Sequence, residues 1–215
     1  MLQDKENILL HLKINNPMSI QNLLIATSNM GKFNEISDLF NLINIETINP
    51  QSLNPQITVL ENGHSIEENA IKKSQAYARK FNTWALADDS GLEIEFLNND
   101  PGVNTSTYGG MNLTSEERNN FLLKQLNQFS KPIKARFRCV ISLTNKSSHS
   151  ILFHGICPGY ISPIPRGENG FGFDPIFIPA FHQKTMAEMT IYEKNTISHR
   201  GKAIQKVLNY IKTLK

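Results

Sequence analysis

The sequence predicts an α/β fold with a mixed sheet, and three observations carry that prediction. Apolar strand-like runs alternate with amphipathic helical runs through the first half of the chain. The two kinds of run differ in period, 2 for strands against about 3.6 for helices. After residue 134 come two strand-like segments in succession, the first strictly alternating, which read as an antiparallel hairpin that a purely parallel sheet would lack.

Residues 20–26 read as a buried strand. Residues 30–44 read as a helix, because Phe33, Ile36, Leu39, Phe40 and Ile43 recur at helical spacing. IETI, 45–48, is a second short strand. Ser65 with Glu68 forms a capping box and opens a helix that runs to about Phe81. WALADD, 84–89, is a buried strand ending in two acids. LEIEFL, 92–97, alternates and reads as the next strand, and NNDPG breaks the chain. Thr114 with Glu117 caps a helix over 115–129. ARFRCVISLT, 135–144, puts Phe137, Cys139, Ile141 and Leu143 on one face and pairs with SILFHGICPGYI, 150–161. PRGENGFGFDP, 165–175, reads as loop. The segment 198–214 closes the chain as a helix with Ala203, Ile204, Val207, Leu208 and Ile211 on its apolar stripe. No repeat or linker interrupts residues 20–215, read as a single catalytic domain. Residues 1–19 read as an N-terminal extension outside the core. The hairpin at 134–161 is expected in part of a second lobe, and a cleft between lobes is the default ligand site.

Composition narrows the class. The 215 residues are 40% apolar and 19% charged, which suits a globular domain rather than a disordered chain. A net charge of +3 argues against a nucleic-acid scaffold, so no nucleic-acid partner is expected. No run approaches the ~18 apolar residues of a membrane span, and ILL near the N-terminus is too short for a secretory signal, so no membrane partner and a cytoplasmic location are expected. Cys139 and Cys157 form no CxxC pair and read as two reduced thiols.

Four segments carry chemistry. TSNMGKFNE lies where a strand turns into a helix, a place that offers backbone N–H groups and the positive end of the helix dipole. Gly31 lets the backbone approach a ligand and Lys32 adds a charge, so Thr27, Ser28, Asn29, Met30, Gly31 and Lys32 suit a phosphate. It is not a GxxxxGK[ST] loop, which would need Gly at Ala26 and Ser or Thr at Phe33. A plain helix start with a solvated lysine is the alternative. ADDSGLEIE places Asp88 and Asp89 at the end of an apolar strand, followed by Ser90. Carboxylates there reach the crevice where α/β ligands bind and can hold Mg²⁺ or take a proton from water. The alternative is a turn, since Asp-Ser-Gly is common turn chemistry. PRGENGFGFDP sets Phe171, Gly172, Phe173 and Asp174 where an aromatic face can stack on a base and a carboxylate can accept from a purine N–H; a flexible surface loop is the alternative. YEKNTISHRG offers Lys194, His199 and Arg200 around the N-cap Ser198. Cations at a helix start oppose the dipole, a mismatch that hints at an anionic ligand against the alternative of a solvated basic face. Two phosphate sites, a carboxylate pair and a base-reading loop point to a nucleotide-phosphate enzyme.

In this order the four segments resemble the inosine triphosphate pyrophosphatase family. Thr27, Asn29, Lys32 and Glu35 match T-x-N-x-x-K-x-x-E. Ala87–Leu92 match A-D-D-S-G-L. Gly170–Phe177 match G-F-G-Y-D-P-I-F with Phe173 for Tyr, and Lys194–Gly201 match K-x-x-I-S-H-R-G. KTMAEM, 184–189, is similar to K-T-A-E-L. The resemblance covers residues 22–213. It implies an elongated, two-lobed fold on a central twisted sheet, a homodimer, and Mg²⁺-dependent hydrolysis of deaminated purine nucleoside triphosphates (ITP, dITP, XTP) between the α and β phosphates. It implies Asp89 as proton acceptor and metal ligand, Asp88 as its partner, and Glu61 as a second metal ligand. Thr27 to Lys32 would line the triphosphate, Ser90 would touch substrate, Phe171 to Asp174 would hold the base, and Lys194, His199 and Arg200 would complete the pocket. The family pattern P-G-x-x-S-A-R-Y is broken: Thr105 stands at its Ser position and Thr107 at its Arg position.

Overall fold

The computed structural model describes residues 20 and 22–214, so the expected extension 1–19 lies outside the described residues. Six strands form one sheet: β1 (Asn22–Ile25), β2 (Glu46–Ile48), β3 (Ala85–Ile94), β4 (Lys134–Thr144), β5 (Ser150–Ile161) and β6 (Phe177–Pro179). Five α-helices flank it: α1 (Met30–Asn41), α2 (Ile66–Phe81), α3 (Ser115–Leu126), α4 (Ile191–Ile197) and α5 (His199–Thr213). The strand order is β2-β1-β3-β4-β5-β6. β1 pairs in parallel with β2 and β3, and every later pairing is antiparallel, so the sheet is mixed as the sequence predicts. No helix among the described residues is long and apolar enough to cross a membrane.

Two strands were expected at 84–89 and 92–97, and the structure has one. β4 pairs with β3 without a break through Asp88↔Ile141, Asp89↔Val140, Ser90↔Cys139 and Gly91↔Arg138. Turn-like residues are thus strand interior, because a ten-residue ladder outweighs the local preference of Asp-Ser-Gly. Gly91 fits there because the Gly102 carbonyl crosses it; a Cβ would lie 2.3 Å from that oxygen. Asp88 and Asp89 therefore sit mid-strand and not at a strand end, and Phe96 and Leu97 leave the sheet in a 3₁₀ turn.

Other boundaries shift less. α1 ends at Asn41 and α3 at Leu126, each three residues short of the apolar pattern. Ser65 caps α2 by accepting from the Glu68 N–H, but the Glu68 carboxylate takes the His64 N–H at 2.9 Å, so only half of the capping box forms there. α4, capped by Thr190 and Glu193, is a seven-residue helix absent from the sequence reading, too short to print a period. Ser198 ends it and caps α5, accepting from the Gly201 N–H at 3.0 Å.

The two larger of four apolar clusters among the described residues mark two lobes. One gathers Ile36, Phe40, Ile141, Leu143, Ala203 and Val207; the other gathers Leu92, Leu122, Phe137, Phe173 and Ile176. β4 contributes to both. The β4–β5 hairpin thus runs through both lobes: Ala135, Phe137, Cys157 and Ile161 belong to the second core, and Cys139, Ile141 and Leu143 to the first. The two cysteines are free and lie one in each core, where burial pushes the thiols up to about 12 for Cys139 and about 11 for Cys157.

The start of α5 lies directly on β5. A Cβ on Gly155 would stand 1.9 Å from the His199 carbonyl oxygen, so only glycine lets the helix come this close. Gly155→Ala is expected to displace α5 and cost about 1–3 kcal/mol, the usual penalty for overpacking. Urea denaturation measures it, and an unchanged midpoint would contradict this placement of α5.

Candidate active site

Successive strand side chains point to opposite faces, so β3 sends Asp88 and Ser90 one way and Asp89 the other. Asp88 faces α1 and α5 and is fully buried. Its Oδ2 accepts from Arg200 Nε at 3.0 Å and from Ser90 Oγ at 3.0 Å, and meets Lys32 Nζ at 3.2 Å. Burial opposes its charge, but Lys32, Arg200 and Lys73 overcome that and hold its carboxyl far below the usual range.

Glu35 extends this into a network. It lies three residues after Lys32 on α1 and is buried. One oxygen accepts from Lys194 Nζ at 2.7 Å, and the other from Arg200 Nη1. Lys194 also donates to Asp174 at 2.6 Å, and Asp174 accepts from the Phe171 N–H at 2.9 Å. Lys32, Arg200 and Lys194 thus balance Asp88, Glu35 and Asp174. The ring of Phe171 lies over the two cations of α4 and α5, with Lys194 Nζ 4.8 Å and Arg200 Cζ 5.4 Å from its centroid. Burial would raise the Glu35 pKa; Arg200 and Lys194 bring it below its ordinary 4.5.

On the other face Asp89 meets α2. Lys73 Nζ donates to Glu61 at 2.7 Å and to the Asp88 backbone carbonyl at 2.7 Å, and lies 3.8 Å from Asp89 Oδ1. Asn69 accepts from the Gly63 N–H at 2.8 Å, which ties the segment carrying Glu61 to α2. Burial raises the Asp89 pKa, while Lys73 and Lys32 oppose the rise. Here one ammonium faces two carboxylates. That excess of negative charge, on hard oxygen donors, fits Mg²⁺, which is held by one or two carboxylates together with substrate phosphates. Among the described residues no larger group of metal-ligating side chains occurs.

A cleft of about 720 Å³ gathers most of the residues singled out in the sequence. Thr27, Ser28, Asn29, Lys32, Glu61, Asp89, Ser90, Phe171, Gly172, Phe173, Asp174, Lys194, His199 and Arg200 all line it. Asn29 is the N-cap of α1, accepting from the Lys32 N–H at 3.1 Å. His199 stacks on Phe137 with centroids 4.6 Å apart, and its Nδ1 has no hydrogen-bond partner among the described residues. Burial first, then Arg200 and Lys194, hold its pKa well below 6.5, so the imidazole is neutral.

Three expected residues stand elsewhere. Met30, Gly31 and Asp88 do not line the cleft. Gly31 makes room for a side chain and not for a ligand: its Cβ would come within 2.7 Å of the Phe171 ring. Asp88, expected beside Asp89 in catalysis, is an anchor for Arg200 and Lys32 on the opposite face of the strand. Two cleft-forming partners were missed. Lys73 looks like a solvated helix lysine, but its spacing from Ile66 and Ala70 puts it on the buried face. Glu35 belongs to the quoted motif, with nothing local to show that its partners lie over 150 residues away.

Residues 23–210 match the Ham1 family. The chain belongs to that family. A dITP/XTP pyrophosphatase of Bacillus cereus is 38% identical over 193 residues, covering 88% of this chain and 94% of the relative. One from Staphylococcus epidermidis is 40% identical over 192 residues, covering 89% and 97%. Among solved structures, the Staphylococcus aureus Ham1 protein superposes with a TM-score of 0.80 at 38% identity, over 90% of this chain and 100% of that one. A HAM1 protein from Coxiella burnetii gives 0.80 at 38% identity over 89% and 98%.

The network makes stability depend on pH. A carboxylate with a depressed folded pKa contributes stability that is present above its ordinary value, 4.5 for Glu35, and is lost as pH falls through the folded value. Glu35→Gln leaves Arg200 and Lys194 without their shared anion and is expected to cost about 3–5 kcal/mol at pH 7. The variant is also expected to lose part of the acid-side decline that the lowered Glu35 pKa implies for the wild type below pH 4.5. Denaturant unfolding from pH 7 to pH 3 checks both; parallel curves for the two proteins would contradict it.

Proposed function

We propose that this protein is a Mg²⁺-dependent pyrophosphatase acting on deaminated purine nucleoside triphosphates (ITP, dITP and XTP). It releases the nucleoside monophosphate and pyrophosphate, and so clears such nucleotides before they enter DNA or RNA. The observation that carries the reading is one cleft holding a carboxyl of raised pKa, Asp89, together with the aromatic and cationic loop around Phe171. The names of the Bacillus and Staphylococcus relatives support it.

Asp89 and Glu61 are the residues that would hold Mg²⁺. Bound there, the ion would neutralise phosphate charge and make the phosphorus more electrophilic. Asp89 orients a water and accepts its proton as the water oxygen bonds to the α-phosphorus. The bond from that phosphorus to the α–β bridging oxygen breaks, and pyrophosphate leaves with the electron pair. Lys32, at the start of α1, faces the charge that develops on the leaving group. Phe171 offers a stacking face for the base. Neutral His199 can donate one N–H to the 6-oxo group of hypoxanthine or xanthine, where adenine presents an amino group that cannot accept it.

Phosphate release tests the reading. With Mg²⁺, ITP, dITP and XTP are expected to yield inorganic phosphate only when inorganic pyrophosphatase is added, while ATP, GTP and UTP yield little. Direct phosphate release would mean attack at the γ end. Asp89→Asn is expected to lower kcat by about 10²-fold or more with the fold intact. Wild-type turnover in that variant would remove Asp89 from the mechanism.

A further inference from the structure

Among the described residues, every charged side chain on the cleft wall but one has an opposite charge beside it. Lys32 meets Asp88, Lys73 meets Glu61 and Asp89, Lys194 meets Glu35 and Asp174, and Arg200 meets Asp88 and Glu35. Arg118 lines the same cleft and is only 7% exposed, yet it forms no ion pair among the described residues. It stands in the first turn of α3, where the helix dipole disfavours a cation.

The guanidinium is held by carbonyls alone. Nη1 donates to Tyr108 O and, at 3.0 Å, to Gly110 O; Nη2 donates to Leu113 O at 3.0 Å. Those three bonds leave two of its five N–H groups without a protein acceptor among the described residues. Carbonyl dipoles solvate a buried charge but do not neutralise it. Around it the cleft presents hydroxyls and no carboxylate from this segment: Ser106, Thr107 and Ser115. Thr107 stands next to Tyr108, whose carbonyl Arg118 grips. Thr107 is also the position where the family pattern places an arginine.

We infer that Arg118 binds an anionic oxygen of the substrate's phosphate chain, supplying from α3 a guanidinium that this chain lacks at position 107. The inference rests on the nucleotide reading above. A buried, unpaired, multi-donor cation set among hydroxyls suits a phosphate, and the remaining N–H groups give it direction.

Calorimetric titration with inorganic tripolyphosphate, with ITP, and with inosine tests it on the full-length protein. Arg118→Gln is expected to weaken tripolyphosphate binding by about 10- to 100-fold, the effect of one charge-assisted contact, and to leave inosine unchanged. Adding Thr107→Arg to that variant restores most of the loss. It cannot remake the bonds to Tyr108, Gly110 and Leu113, so recovery reports charge and not loop structure. Thr107→Arg alone, with Arg118 and its loop intact, tightens tripolyphosphate in the same assay. Equal affinity in wild type and Arg118→Gln, a loss shared equally by inosine, or no gain from Thr107→Arg in either background overturns the inference. A wild-type protein that binds neither ITP nor tripolyphosphate overturns the nucleotide reading itself, and this inference with it.

Discussion

The rest of the structure depends on a buried carboxylate held between two buried cations. Glu35 sits between Arg200 and Lys194, with side chains 4%, 2% and 4% exposed. Ions taken so far out of water cost several kcal/mol each, and attraction offsets that only when every partner is in place. The six charges come from α1, β3, the segment following Phe173, α4 and α5, so satisfying them fixes how these elements meet. Phe171 is the visible result. Its amide donates to Asp174, its ring covers Lys194 and Arg200, and Gly31 leaves space for its edge. One wall of the cleft is thus held by charge matching, while the two apolar cores beside it supply the bulk of the burial.

A one-residue step on β3 separates two electrostatic environments. Asp88 turns toward the network and is neutralised by cations that depress its pKa. Asp89 turns toward the cleft, where burial raises its pKa and Lys73 keeps Glu61 within reach. Two adjacent aspartates thus meet opposite environments because strand side chains alternate. Environments that push two carboxyls apart are the usual mark of distinct roles. The strand interior also holds this division more rigidly than a loop would.

Much of this was legible in the sequence. α1 and α5 follow from helical spacing, α2 and α3 from the capping signals at Ser65 and Thr114, and the cap of α5 from Ser198. The β4–β5 hairpin follows from alternation, and four motif segments fell into one cleft. What stayed hidden is non-local. The continuity of β3 depends on its ladder with β4, which overrides a local turn preference. α4 is too short to show a period. Glu35 could not be read as a network residue because its partners Lys194 and Arg200 come from the far end of the chain, and Lys73, though its spacing puts it on the buried face, needed the fold to show Glu61 and Asp89 beside it. The opposite facing of Asp88 and Asp89 was readable, since both lie within the expected strand 84–89 and alternation alone puts neighbours on opposite faces. Nothing in the sequence singles out Arg118, because its lack of a counter-ion among the described residues shows only in the fold.

In the proposed mechanism Asp89 directs water at the α-phosphorus of a nucleotide whose base lies by Phe171. The most direct measurement is mass spectrometry of the products after ITP turnover with Mg²⁺ in H₂¹⁸O. One ¹⁸O is expected in the inosine monophosphate and none in the pyrophosphate. Label in pyrophosphate or in free phosphate would place the attack at the β- or γ-phosphorus and contradict it.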